Sequence, residues 1–212
     1  MLEGWRAPDQ GALFVVSGAS GTGKTTLLRA LFGEVPGLSF SVSVTTRSAR
    51  AGEREGVDYH FVDRTAYDRL LEEDALLEHA EVYGTCYGTP RVPVVEALAQ
   101  GRSIVLDIDV QGAAQVRRKL PDSVTIFVLP PRIDVICERL VARGTDGPET
   151  IERRIREAHA QLRACGDYDY LVMNDVLATA RAQPVGIVLA ELSRRERRES
   201  WVRAMTSSET SS

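Results

Sequence analysis

Apolar residues along this chain fall into short unbroken runs, and between the runs they recur every three to four positions. Residues 13–16 form the first run, with β-branched members, and read as a buried strand. A Gly/Ser/Thr-rich turn follows at once. Residues 25–32 are good helix formers and end at Gly33. Two further apolar runs, 104–108 and 124–129, read as strands, and residues 112–120 between them suit a helix. Ile133, Ile136, Cys137, Leu140 and Val141 recur at helical spacing, as do Ile151, Ile155, Ala158 and Leu162 after the polar turn at Gly144. Residues 170–173 make a last short strand, and Val185, Val188, Leu189 and Leu192 mark a closing helix. Strands alternating with helices predict an α/β protein whose parallel sheet is covered on both faces.

Residues 39–92 have a different texture. Over 39–46 small polar residues alternate with Phe40, Val42 and Val44, the pattern of a half-buried strand. A second strand is predicted at 59–62 and a helix over 65–77, after which Gly84, Gly88 and Pro90 break the chain repeatedly. The stretch reads as an inserted lobe. The expected organisation is a flexible arm at 1–10, a core of 11–38 and 93–200, the lobe at 39–92, and a flexible tail at 201–212.

Composition narrows the function. The chain has 212 residues, 43% hydrophobic and 26% charged, which excludes wholesale disorder and a disulfide mini-scaffold. A net charge of −4 argues against nucleic-acid binding by bulk positive charge. No apolar run is long enough to span a bilayer, and Cys86, Cys137 and Cys165 show no metal-like spacing, so a cytoplasmic protein with reduced thiols and no membrane partner is expected. Of the 26 basic residues only Lys24 and Lys119 are lysine, which makes the position of Lys24 informative.

Gly18, Ala19, Ser20, Gly21, Thr22, Gly23, Lys24 and Thr25 fit G-x-x-x-x-G-K-[ST] in full, between a predicted strand and a predicted helix. Glycines let the backbone curl so that several N–H groups face phosphate oxygens, and the helix N-terminus adds a favourable dipole. Lys24 would reach the β- and γ-phosphates, and Thr25 would hold Mg²⁺ through its hydroxyl. GTPases, ATPases and small-molecule kinases all carry such a loop, which here ends at Thr26. No N-K-x-D element of the GTPase type is present, so a second site must name the reaction.

That second site begins at Thr45-Thr46-Arg47-Ser48-Ala49-Arg50 and continues through Glu53, Gly56, Tyr59 and Phe61. Taken alone, Arg47 and Arg50 read as a solvated basic turn. They also suit a phosphate dianion, because guanidinium forks are planar, always charged and bidentate. The segment TTRSARAGEREGVDYHFV closely resembles the signature of guanylate kinases, nucleoside monophosphate kinases that convert GMP to GDP. The resemblance runs from about residue 13 to the last predicted helix and takes in LEHAEVYGTCYGT, LDIDVQG, ERLVARGTD and VMND.

The resemblance implies a P-loop fold with a five-stranded parallel sheet, helices on both faces, an inserted GMP-binding lobe and a small lid at about 139–157. It implies that Arg47, Arg50, Tyr59 and Tyr87 hold the GMP phosphate, that Glu78 accepts guanine's donors, and that Ser43 and Thr89 add hydroxyl contacts. An ionised carboxylate only accepts, so it fits guanine and opposes the N1 lone pair of adenine. By the same resemblance Asp107 faces the guanine amino group, and Asp109 shares the GMP site with an indirect role at Mg²⁺. Arg139, Arg143 and Arg154 match lid positions that neutralise the transferring phosphoryl group, and Asn174, with Asp175, matches a loop near the adenine. Ala19 replaces a common proline, Thr89 a frequent serine, and Cys86 a common polar residue, with no chemical role removed. The implied activity is transfer of the γ-phosphoryl group of ATP to GMP or dGMP, by a monomer or homodimer. The alternatives are another P-loop kinase, such as a ribose 1,5-bisphosphate kinase, or a non-catalytic guanylate-kinase-like binding module.

Overall fold

The computed structural model describes residues 5–82, 84–142 and 148–207; side chains at 137, 139–142, 148–149 and 151–154 also lie outside the description. Two sheets organise it. The first has five parallel strands in the order β2 (Leu38–Phe40), β7 (Ser103–Asp107), β1 (Leu13–Ser17), β8 (Val124–Leu129) and β9 (Tyr170–Met173). Strand β1 lies at its centre, in register with Ile104–Asp107 on one side and Val124–Phe127 on the other.

The period-2 alternation of β1 divides the core. Phe14 and Val16 face one cluster, built with Leu27, Leu28 and Leu31 of α1 (Lys24–Glu34) and Val188 and Leu192 of α7 (Leu177–Leu192). Leu13 and Val15 face the other, with Val94 and Ala97 of α3 (Arg91–Ala99) and Ala113 and Val116 of α4 (Val110–Lys119). All five residues of β1 are buried, which is why they read as a continuous apolar run. Helices α5 (Ile133–Ala142) and α6 (Pro148–Leu162) pack on each other beside the core.

The second sheet carries the lobe. Its order is β4 (Tyr59–Phe61), β3 (Ser43–Thr45), β6 (Thr85–Pro90) and β5 (Leu76–Val82), with β3 and β4 parallel and the other pairs antiparallel. Helix α2 (Arg64–Glu72) buries Tyr67 against it and is N-capped by Asp63, which accepts from the Ala66 N–H at 2.7 Å.

Several boundaries differ from the sequence expectation. The single strand expected over 39–46 is two strands, β2 in the core sheet and β3 in the lobe sheet, so the chain changes sheets at residues 41–42. The helix expected over 65–77 stops at Glu72, and the chain turns at Asp74, a non-glycine residue at φ 48°, into β5. The expected tail begins as helix α8 (Glu199–Thr206). The expected N-terminal arm is tied down over its described part: the Asp9 N–H donates to the Arg197 carbonyl, and the Arg198 guanidinium lies over the rings of both Trp5 and Trp201. The basic run 194–198 forms a set of ties. Arg194 pairs with the buried Glu191, Arg197 donates to the Gly11 carbonyl, and Arg198 donates to the Leu192 carbonyl at the end of α7.

Phe14 is fully buried at the centre of the larger cluster. Phe14→Ala is expected to lower stability by about 3–5 kcal/mol, read as a fall in the urea midpoint at unchanged m-value.

Candidate active site

The phosphate-loop motif joins the C-terminal end of β1 to α1. Gly18 has no room for a side chain, since a Cβ there would lie 2.6 Å from the Val128 carbonyl oxygen. Gly23 caps α1 in a left-handed conformation at φ 91°. Between them the Thr22 hydroxyl donates to the Ala19 carbonyl at 2.8 Å, while the Ala19 methyl is buried against Ile136 and Ala158. Lys24 Nζ folds back to donate to the Gly18 carbonyl at 2.6 Å. Burial pushes its pKa down, and the charges of Asp107 and then Asp109 oppose that shift. Ser20 and Thr26 are exposed on the same turn, as is Thr25.

Asn174, at the end of β9, is buried behind this loop, and its Nδ2 donates to the Thr22 carbonyl at 2.6 Å. The structure therefore brings Asn174 to the back of the phosphate loop, where it holds the loop's backbone. Asp107 ends β7 at the mouth of the cleft; enclosure by the protein pushes its carboxyl up, and Lys24 opposes. Asp109 is the N-cap of α4. Its Oδ1 accepts from the backbone N–H groups of Gln111 and Gly112 at 3.0 and 2.8 Å, which leaves Oδ2 outside the cap.

A second cluster sits on the lobe sheet. Arg47 follows β3, and its guanidinium forks onto Glu53, with Nη1 to Oε2 at 2.6 Å and Nη2 to Oε1 at 2.7 Å. Glu53 also accepts from the Arg50 backbone N–H at 2.8 Å. These bonds hold the Glu53 carboxyl down to about 2, and the Arg47 guanidinium well above its ordinary value. Arg47 lies over the Tyr59 ring at 5.0 Å, and Tyr59 meets Tyr87 at 6.1 Å between ring centroids. Arg50 is exposed on the same turn. Sequence reasoning gave Glu53 no site role. The signal available to find it was its spacing, three residues beyond Arg50 on a glycine turn.

Glu78 is the buried acid of the lobe, 5% exposed, on β5. The Thr89 hydroxyl donates to its Oε1 at 2.6 Å. Burial pushes the carboxyl up; the Thr89 bond opposes the shift, and the Asp109 charge adds to it. In front of this pair lies a cavity of about 350 Å³, lined by Ser43, Tyr59, Thr89 and Asp107 from four different strands. Phe40, Ser41, Val57 and Asp58 add to its wall, and sequence reasoning missed all four as site residues. The cavity thus spans both sheets, and the core end of it belongs to the strand next to β1.

A larger cavity of about 520 Å³ lies where β8 and β9 begin, lined by Gln10, Asp122, Ser123, Glu191 and Arg194 among others. It is at the end of the sheet opposite the phosphate loop, and among its charged groups Arg194 pairs with Glu191 at 2.9 Å. The side chains of Arg139 and Arg154, and all of Arg143, fall outside the described residues, as does the middle of the expected lid, 143–147.

Chemically, the core offers a curled anion-binding backbone with an ammonium, and the lobe offers an anchored guanidinium, two phenols and a buried acceptor. The arrangement suits two phosphorylated molecules meeting at one cleft. Comparison with known proteins agrees. The guanylate kinase family model matches residues 10–187. Guanylate kinase of Symbiobacterium thermophilum is 47% identical over 185 residues, covering 87% of this chain and 88% of its own length. A guanylate kinase of Thermus thermophilus is 49% identical over 185 residues, covering 87% of this chain and 84% of its own. The crystal structure of guanylate kinase from Anaplasma phagocytophilum superposes with a TM-score of 0.68 at 33% identity, covering 90% of this chain and 91% of that one. With both the sequence and the fold matched across nearly their whole extent, the chain belongs to the guanylate kinase family.

Proposed function

We propose that this chain transfers the γ-phosphoryl group of ATP to GMP, and to dGMP, giving ADP and GDP. The observation that carries the reading is the shared cleft: the phosphate loop leaves the end of β1, where Val16 pairs with Asp107 of β7, and Asp107 lines the same cavity as Ser43, Tyr59 and Thr89 of the lobe.

The N–H groups of Gly18, Ala19, Ser20, Gly21, Thr22 and Gly23 cradle the ATP phosphates, and Lys24 supplies the positive charge. Its bond to the Gly18 carbonyl holds it over the loop. Asn174 supports the loop from behind through the Thr22 carbonyl. Arg47, kept in place by Glu53, meets the GMP phosphate together with Arg50, Tyr59 and Tyr87. Glu78 accepts the N1–H and N2–H donors of guanine, with Ser43, Thr89, Asp107 and Asp109 around it. Arg139, Arg143 and Arg154 neutralise the phosphoryl group in flight. The lobe at 39–92 and the lid at 139–157 act as the moving parts around the core.

Mg²⁺ fits the donors present. The Thr25 hydroxyl opens the first turn of α1, and Asp107 and Asp109 offer hard oxygen nearby. Among the described residues no group of three His, Cys, Asp or Glu side chains could hold a metal, so phosphate and water would supply most of its ligands. When bound, the ion would neutralise phosphate charge. The acceptor oxygen of GMP is already anionic near neutral pH, so no side chain is assigned as a general base, and catalysis rests on positioning and charge. The free thiols of Cys86 and Cys165 support a cytoplasmic setting, in which the chain works as a monomer or homodimer.

Lys24→Ala is expected to reduce kcat by about a thousandfold or more with the far-UV spectrum unchanged, measured by coupled ADP release. Activity near wild type would remove the loop from the reaction. Glu78→Gln turns one acceptor oxygen into an amide donor; the KM for GMP is expected to rise about tenfold or more while the KM for ATP holds. Guanine needs the ionised Glu78, and burial has raised that group's pKa. Affinity for GMP is therefore full above the raised value and lost as pH falls through it, starting above the ordinary glutamate range of about 4.3. The acid limb of GMP binding should be shallower in Glu78→Gln than in the wild type, what remains being protonation of the GMP phosphate itself near about pH 6.

A further inference from the structure

Strand β5 is the outermost strand of the lobe sheet. One backbone edge pairs with β6, and the other has no strand beside it among the described residues. A side chain of the core fills that free edge next to Glu78. Gln115 Nε2 donates to the His79 carbonyl at 2.9 Å, and the His79 N–H donates to Gln115 Oε1 at 3.1 Å. The carboxamide makes the same donor and acceptor pair that another antiparallel strand would make.

Gln115 does not act alone on its helix. Gly112, one turn earlier on α4, faces the Glu78 carboxylate so closely that a Cβ there would lie 2.9 Å from Oε2. Lys119, one turn later, donates to the Leu76 carbonyl at 2.6 Å and pairs with Asp74. Positions 112, 115 and 119 share one helical face. That face touches the Glu78 carboxylate and binds the chain on both sides of it, at Leu76 and at His79. The adjoining flank of the helix belongs to the core, where Ala113 and Val116 pack with Leu13, Val15 and Leu106. The Glu78 carboxylate is thus located by two bodies: Thr89 of the lobe holds Oε1, and α4 of the core bounds Oε2.

We propose that Gln115 is a positioning residue for base selection: by clamping the backbone at His79 it holds the Glu78 carboxylate at the angle that meets both N–H donors of guanine. The inference rests on the reading of Glu78 as the guanine acceptor. Two hydrogen bonds fix both the distance and the rotation of the strand, whereas the single Lys119 bond to Leu76 fixes only distance. A carboxylate at position 115 keeps the acceptor, loses the donor, and sets an anion against the His79 carbonyl. A thioether keeps the length and volume and loses both bonds.

The test uses GMP and inosine monophosphate, which lacks only the 2-amino group. The full chain is assayed for the KM of GMP and of ATP, and for competitive inhibition by inosine monophosphate, in wild type, Gln115→Met, Gln115→Glu, Glu78→Gln and Glu78→Gln/Gln115→Met. In Gln115→Met the preference for GMP over the inosine nucleotide is expected to fall about five- to twentyfold, the equivalent of losing one to two hydrogen bonds. The KM for ATP should stay within about twofold. In the Glu78→Gln background the same change should leave the preference where it is, because no carboxylate remains to be aimed. A retained preference in Gln115→Met overturns the proposal, with or without a fall in Tm, since lost stability alone weakens both nucleotides together. If that variant does not fold, Gln115→Glu carries the same decision. Wild-type kinetics in Glu78→Gln overturns the reading of Glu78 itself, whereas a collapsed preference there beside a normal one in Gln115→Met overturns only the role of Gln115.

Discussion

Between Ser17 and Lys24 the backbone has to leave a central parallel strand, turn through conformations closed to most side chains, and enter a helix. Gly18 is pressed against the Val128 carbonyl and Gly23 holds a left-handed cap, so the turn is feasible only without Cβ atoms at these points. Its shape is not self-supporting. Thr22 ties it across to Ala19, Asn174 ties it to the end of β9, and Ile136 and Ala158 pack under Ala19. A polyanion binds well only where N–H groups already point the right way, because reorganising a backbone during binding is costly. The five-stranded sheet exists, in functional terms, to hold this turn still.

The second half of the chemistry follows a different rule. In the proposed reaction a fixed backbone grips a triphosphate, while charged side chains handle the monophosphate, and long side chains need anchors. Arg47 has Glu53 and the Tyr59 ring; Glu78 has Thr89 on one side and helix α4 on the other. The modest negative charge of the whole chain says nothing of this arrangement. Local pairs decide where charge is available, and an arginine-rich, lysine-poor composition favours planar, directional pairs over point charges.

How far the sequence reveals this depends on whether the relevant signal is local. The phosphate loop is legible because strand, glycine turn and helix are contiguous, and each imposes its own residue types. The inner core strands β7, β1 and β8 are legible because they are buried on both faces. Strands β5 and β6 are not: Leu76, Leu77 and Glu78 are buried together while the rest of β5 is exposed or partly so, and β6 mixes two threonines with Cys86, Tyr87, Gly88 and Pro90, so neither sequence alternates apolar with polar. Helix α3 carries Pro93 in its first turn, where a missing N–H costs no bond, and α7 continues through Pro184, which local rules treat as a break. Glu53, Phe40 and Gln115 act through partners brought near by the fold, and a linear pattern carries no trace of such pairings. The family resemblance supplied the roles that spacing could not.

The salt link between Arg47 and Glu53 has a consequence for turnover. In the role proposed for Arg47, a guanidinium already bonded along one edge offers an arriving phosphate a prearranged but partly neutralised partner. Prearrangement speeds capture, and the resident carboxylate keeps the well shallow. An enzyme whose acceptor leaves as a diphosphate, more highly charged than it arrived, gains from such tempering, because a bare cationic pocket would hold the product longest of all.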